Sequence, residues 1–317
     1  MKTKKLGSSE LEFSVIGLGT WAMGGGGWNY SWGKQDDKES EKTIKKAMDL
    51  GINWIDTAPV YGLGHAERLV GRTIRKMQEK PFIATKCGLV WKSNGKISGK
   101  LRKDSIKFEI EESLKRLSVD AIDLYQIHWP RPECHIEEAW ETILELVQEG
   151  KIRYAGVSNF TVDQVEKLKK MGLPISVQSP YSILKRAIED DLLSFCSCNN
   201  IEVLAYSTMQ KGLLTGLFDI ARISQFPVDD HRRWDPFFRD PKINQVLFVV
   251  QGLVGFAKEK GITASQLAIA WVLRRDEITS AIVGARNPSQ IEETSKAADF
   301  TLSYEDMACI DQILCNI

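Results

Sequence analysis

The chain has no surplus of either charge. Across 317 residues, 42 Lys and Arg balance 42 Asp and Glu. With no global basic field, and no basic run with interleaved aromatics, nucleic acid and acidic lipid drop out as partners. Long hydrophobic runs are missing too. The longest, residues 246–257, is broken by Gln251 and falls short of a bilayer span. The opening MKTKKLGSSELEF carries no apolar signal segment. The six cysteines (Cys87, Cys134, Cys196, Cys198, Cys309, Cys315) have no disulfide-framework spacing, which points to reduced thiols and a cytoplasmic location. The four histidines are scattered, and Cys134-His135 stands alone, so no metal site is expected. Nothing marks an obligate oligomer, and a monomer is expected.

What is present is a regular alternation. With 43% hydrophobic residues the chain can bury a large core. Eight short apolar runs bounded by turn signals (residues 15–19, 52–56, 82–86, 122–128, 154–158, 175–178, 203–207 and 281–283) read as strands covered on both faces. Helical patterns lie between them at 36–50, 104–117, 136–148, 161–171, 189–198, 265–273 and 288–298, with Asp104 and Thr161 as expected N-caps. A Gly-Ser-Ser turn within 6–13 suits a hairpin. Beyond the rhythm lie a long polar segment from 218, a helix at 244–260 and a last helix at 303–314. The expected fold is α/β: one domain over residues 1–317, a (β/α)8 TIM barrel with an N-terminal β-hairpin and two extra helices.

One motif competes. Gly17-Leu18-Gly19-Thr20-Trp21-Ala22 matches a dinucleotide fingerprint, with Asp36 and Asp37 further on. That motif works only if its end opens a helix toward the pyrophosphate. Here Gly24–Gly27 follow, and four successive glycines do not sustain a helix. A Rossmann domain is rejected.

In a barrel, chemistry belongs at the C-terminal strand ends. Strand two ends at Asp56, with Tyr61 just beyond; strand three ends at Lys86, and strand four at His128 in DLYQIHWP. Taken singly they are a turn residue, a packed phenol, a snorkelling lysine and a core histidine. At successive strand mouths they make an acid–base set. Lys86 would lower the phenol's pKa, Asp56 would hold Lys86, and neutral His128 would orient a carbonyl that Tyr61 protonates. The electron pair must come from a cofactor.

Further residues carry a resemblance: Thr85-Lys86, Lys151-Ile-Arg, Gly156-Val-Ser-Asn-Phe160, Gln178, Tyr206-Ser, Gly212-Leu-Leu-Thr-Gly216 and Gly284-Ala-Arg-Asn-Pro-Ser-Gln-Ile-Glu-Glu293. With Gly17-Leu-Gly-Thr-Trp and the four residues above, they make nearly the whole chain resemble the aldo-keto reductase family. Within it the chain most resembles bacterial-type general stress and inositol-locus NADPH-dependent reductases. The resemblance implies Asp56, Tyr61, Lys86 and His128 as a catalytic tetrad, Tyr61 being the proton donor in reversible reduction of aldehydes and ketones. It implies NADPH/NADP+ across the barrel mouth. Thr20, Trp21 and Asp56 would flank the ring, Ser158, Asn159 and Gln178 would hold the carboxamide, and Tyr206 would stack on the nicotinamide. Ser207, Thr208, Met209, Gln210, Lys211 and Gly212 would cover the pyrophosphate, and Gly284, Arg286, Gln290, Glu293 and Thr294 would meet the adenosine end. Leu217 stands where many members carry a lysine, so the diphosphate is held more weakly or Lys211 reaches in instead. Thr294 replaces a common Asn, and Thr208-Met209 replaces a Ser-Pro-Leu type run. Potassium-channel β subunits are more distant resemblances, and they imply the alternative of a nicotinamide-binding regulatory or interaction module with weak activity.

Tryptophans near strand ends suggest an apolar wall for a small carbonyl substrate. Trp21, Trp91 and Trp129 follow strands one, three and four closely and are the expected lining; Trp28, Trp32 and Trp234 suit either lining or surface packing.

Overall fold

A computed structural model describes residues 1–315. It opens on an antiparallel hairpin of β1 (Thr3–Lys5) and β2 (Glu12–Ser14). A closed parallel barrel follows: β3 (Ile16–Gly19), β4 (Trp54–Asp56), β5 (Phe82–Cys87), β8 (Ile122–Ile127), β9 (Ile152–Ser158), β10 (Ser176–Pro180), β11 (Glu202–Tyr206) and β12 (Ile278–Gly284), with β12 paired back onto β3. A second hairpin, β6 (Leu89–Trp91) with β7 (Ile97–Gly99), rises directly from the end of β5.

The two-residue period of a strand decides which way each side chain faces. In β5, Phe82 and Ala84 join the cluster inside the barrel, while Ile83 and Cys87 join the outer layer beneath the helices. The first hairpin adds Leu6, Leu11 and Phe13 to the inner cluster, where Phe13 stacks on Trp54 with ring centroids 4.6 Å apart. Trp54 fits the barrel only because Gly17 faces it: a Cβ at Gly17 would stand 2.1 Å from the indole. Apolar residues thus fill one end of the barrel, and polar chemistry is left to the other.

The helices are α1 (Asp37–Asp49), α2 (His65–Ile74), α3 (Lys103–Leu117), α4 (Ile136–Gln148), α5 (Val162–Glu166), α6 (Leu192–Cys198), α7 (Ile220–Ser224), α8 (Lys242–Glu259), α9 (Ala264–Leu273), α10 (Pro288–Ser295) and α11 (Tyr304–Leu314). The hairpin, the eight strands and the extra helices α8 and α11 agree with the sequence reading. Thr161 caps α5 through a capping box with Gln164. Asp104 does not cap α3. Arg102 occupies that position, and Asp104 lies in the first turn, 3.2 Å from Lys100. The helix expected at 161–171 stops at Glu166, and only turns follow.

The sequence reading missed α2, whose Gly71 looks like a breaker. That glycine is a packing requirement, since its Cβ would lie 2.4 Å from the Arg116 carbonyl oxygen. After β3 the chain makes one 3-10 turn (Trp21–Gly24) and then passes through Gly25 and Gly27 at φ of 72° and 83°. No helix starts there, so the fingerprint has no anion-binding N-terminus to offer. Among the described residues, no helix is long and apolar enough to cross a membrane.

Two carboxylates lie behind β5. Glu67 accepts from Thr85 Oγ1 at 2.6 Å and from Arg116 Nε at 2.7 Å. Glu109 accepts from the Gly88 backbone N–H at 2.9 Å and from Ser105 Oγ at 3.0 Å. Burial raises the Glu109 carboxyl from 4.5 to about 7, against the hydrogen bonds that lower it. The folded state therefore holds this proton more tightly than the unfolded chain does. The resulting stability is complete below the unfolded value near 4.5 and is lost as pH rises through about 7. Glu109→Gln, which can keep both hydrogen bonds, is expected to remove roughly 3 kcal/mol of this loss. Thermal melts of both proteins from acid to mildly alkaline pH check it; parallel curves would contradict it.

Candidate active site

Four side chains converge at the open end. Asp56 is the last residue of β4, Lys86 lies in β5, His128 directly follows β8, and Tyr61 sits in the turn after β4. Lys86 is fully buried. Its Nζ donates to Asp56 Oδ1 at 2.7 Å, to Asp56 Oδ2 at 2.8 Å and to the Thr57 carbonyl at 2.9 Å, which uses all three ammonium protons. A lysine is tolerated inside a barrel only when paired in this way. From β10, Gln178 Nε2 also donates to Asp56 Oδ1, at 2.8 Å. The Lys86 ammonium stands 5.3 Å from the Tyr61 ring centroid. The His128 ring meets Tyr61 edge-on at 5.9 Å, and Trp21 stacks on Tyr61 at 6.1 Å.

Electrostatics refine the expected roles. Burial pushes the Tyr61 phenol well above its usual value, and the Asp56 and Tyr206 oxygens add to the rise. The expected net lowering is not found, because burial is the largest influence on this phenol and the Asp56 carboxylate adds to the rise. Burial lowers the Lys86 ammonium, with Asp56 opposing. His128 is held well below the ordinary imidazole range by burial and by the Lys86 charge. Near neutrality the site therefore presents a neutral phenol and a neutral imidazole.

Above these groups opens a cavity of about 1230 Å³. Its wall includes Trp21, Asp56, Tyr61, His128, Trp129, Ser158, Asn159, Gln178 and Tyr206, then Ser207, Thr208, Met209, Gln210, Lys211 and Gly212, and finally Gly284, Arg286, Gln290, Glu293 and Thr294. Three expected residues, Thr20, Trp91 and Lys86, are absent from it. Thr20 is fully buried, and its hydroxyl donates to the Asp56 carbonyl at 3.0 Å, so it braces β4 from behind. Trp91 lies opposite Ile97 at the tip of the second hairpin; Leu89, Ile97 and Gly99 line the cavity in its place. Lys86 lies beneath the floor and reaches the cavity only through Asp56 and Tyr61.

Trp28, Trp32 and Trp234, for which lining and surface packing were both open, all reach the wall. His231 and Arg232, from the long segment after β11, line it too and were not anticipated. Arg232 forms a buried ion pair with Asp230 at 2.6 Å. That segment folds back onto the glycine-rich turn, Asp229 Oδ2 accepting from Gly27 N at 2.8 Å and the Ser31 carbonyl from His231 N at 3.1 Å. Lys211 Nζ meets Asp235 at 2.6 Å and stands 5.7 Å over the Trp21 ring. Leu217 is exposed at the rim. Arg286 directs Nε to Gln35 Oε1 at 2.7 Å and its remaining N–H groups to the carbonyls of Trp32 and Lys34.

Residues 15–314 match the model of the aldo/keto reductase family. The chain belongs to that family. It is 39% identical to the aldo-keto reductase YhdN of Bacillus subtilis over 100% of its own length and 94% of that protein. It is 36% identical to an NADH-specific methylglyoxal reductase of Escherichia coli, with 96% of each chain covered. The structure of a glycerol dehydrogenase from Gluconobacter oxydans, AKR11B4, superposes with a TM-score of 0.89 at 38% identity, over 99% of this chain and 95% of that one. This aldo-keto reductase is thus an oxidoreductase for carbonyl and alcohol groups, acting on small molecules with a nicotinamide cofactor.

The cavity suits that cofactor. It exceeds the usual drug-sized pocket of up to about 1,000 Å³. Lys211, Arg232 and Arg286 reach its wall, the first two already paired with Asp235 and Asp230. Thr208 Oγ1 is buried there without a partner among the described residues, an orphaned polar atom that a ligand oxygen would satisfy.

Proposed function

We propose that this aldo-keto reductase reduces small aldehydes and ketones with NADPH, Tyr61 delivering the proton. The observation that carries the reading is the buried Lys86–Asp56 pair beneath Tyr61, with His128 edge-on to the same ring. A bound nicotinamide dinucleotide supplies the hydrogen and electron pair that the carbonyl carbon gains. The Tyr61 O–H bond breaks as its proton passes to the carbonyl oxygen, and the Lys86 charge stabilises the phenolate left behind. Neutral His128 donates a hydrogen bond that orients that oxygen. Asp56 keeps Lys86 charged and fixed without touching the substrate.

Ser158, Asn159 and Gln178 would hold the carboxamide, Tyr206 would stack on the ring, and the 207–212 turn would cover the diphosphate with Lys211. Gly284, Arg286, Gln290, Glu293 and Thr294 would take the adenosine end. Trp21 and Trp129 would form the substrate wall. The tight pairing of Arg286 with the 32–35 turn, and the NADH-specific name of the Escherichia coli relative, favour a second reading in which NADH serves. Fluorescence titration separates the two. Under the NADPH reading, Arg286→Ala weakens NADPH about 10–100-fold through loss of a charge-assisted contact and leaves NADH nearly unaffected. Equal weakening of both would show that Arg286 does not read the 2′-phosphate.

We also read the chain as one functional unit that acts as a cytoplasmic monomer. Its six free thiols support a reducing compartment. Sedimentation equilibrium at micromolar concentration tests the monomer, which a stable dimer would contradict.

A further inference from the structure

Where the long segment after β11 meets the turn after β3, two polar atoms have no partner among the described residues. His231 is 6% exposed; it stacks on Trp21 with centroids 4.4 Å apart and meets Trp32 edge-on at 4.7 Å. Its Nδ1 lies 2.9 Å from the Ser31 carbonyl oxygen, which can only accept, so this nitrogen carries the ring proton. Nε2 is then a bare acceptor, buried and without a partner. Burial lowers this imidazole from 6.5 to about 4, so it is neutral under ordinary conditions. On the adjoining ring, the Trp32 indole N–H is a buried donor, also unpartnered. Both residues line the cavity. A donor and an acceptor side by side, both unsatisfied, are costly in a folded protein. An O–H group, which accepts and donates at once, answers both.

We propose that Trp32 and His231 recognise a hydroxyl group on a bound ligand, the indole N–H donating to its oxygen and His231 Nε2 accepting its proton. The pair is linked to Tyr61 by a run of stacked rings: Tyr61 to Trp21 at 6.1 Å, then Trp21 to His231 at 4.4 Å. A substrate held here carries its hydroxyl several bonds from the reacting carbonyl, as an extended hydroxyaldehyde does. A ribose hydroxyl of the cofactor offers the same chemistry. The choice of substrate rests on the reductase reading; the recognition of a hydroxyl does not.

Binding, read by intrinsic tryptophan fluorescence, tests the pair without turnover. The probes are pentanediol with hydroxyls at both ends, pentanol, and NADPH. The variants are Trp32→Phe, which keeps the ring and the backbone contacts, and His231→Phe. If the substrate carries the hydroxyl, the diol-to-alcohol affinity ratio falls by up to about tenfold in each variant, the worth of the one hydrogen bond each removes, while NADPH affinity holds. If the cofactor carries it, NADPH affinity falls instead and the ratio stays. The proposal is overturned if neither quantity moves in Trp32→Phe, or if diol, alcohol and NADPH all weaken alike, as for a residue that only supports the wall. A carbonyl panel on the wild-type protein tests the reductase reading separately.

Discussion

Tyr61→Phe lowers turnover by about 10²–10⁴-fold, the usual contribution of a positioned general acid, while cofactor affinity holds. Phenylalanine keeps the stack on Trp21, the edge contact with His128 and the face presented to Lys86. The substitution thus isolates one O–H group, and the lost rate reports chemistry with little change in stability. Single-turnover rates and cofactor titration on one preparation of each protein check it. Unchanged turnover would remove Tyr61 from the mechanism; weakened cofactor binding would make it a structural residue.

Asp56→Asn acts on the floor and has the larger effect on folding. It leaves the fully buried Lys86 ammonium with neutral acceptors only. Breaking one side of a buried pair costs about 3–5 kcal/mol, chiefly from the stranded charge. Burial already lowers the Lys86 pKa, and losing Asp56, which raises it, lowers it further. The folded variant then binds fewer protons than the unfolded chain, so its stability rises with pH toward the free lysine value of about 10.4. The deficit against wild type is accordingly widest near neutrality and narrows in alkali. Adding Lys86→Met should recover much of the stability and none of the activity, since the uncompensated charge goes and the phenolate still lacks its cation. Melting temperatures across that pH range, with turnover on both variants, test this. A deficit independent of pH would contradict it.

The barrel was legible because its strands are continuous apolar runs, and the tetrad because each run ends on a polar residue too costly to bury without purpose. Asp56, Lys86 and His128 fall at strand ends for that reason, and alternation along β5 turns Lys86 inward with Phe82 and Ala84. Features set by distant contacts were hidden. Gly71 reads as a helix breaker until the end of α3 is seen pressed against it. Residues 218–241 have no useful period, so nothing local shows that His231 and Arg232 reach the cavity through hydrogen bonds to the glycine-rich turn. Thr20 was placed by the family resemblance and Trp91 by nearness to a strand end. Only the tertiary structure shows that one hydroxyl turns back onto Asp56 and that the other ring stands at a hairpin tip. The direction of the Tyr61 shift was missed for a similar reason: burial, the largest influence on this phenol, is set by the tertiary structure.

The central claim is that this cavity reduces carbonyls and does not merely bind a nicotinamide. The most direct measurement is the stoichiometry of NADPH oxidised to alcohol formed, by the purified wild-type protein, across a panel of aliphatic and aromatic aldehydes and ketones. The account predicts equal amounts of each for at least the small members. Tight cofactor binding with no alcohol from any of them would contradict it, and would mark the chain as a binding module.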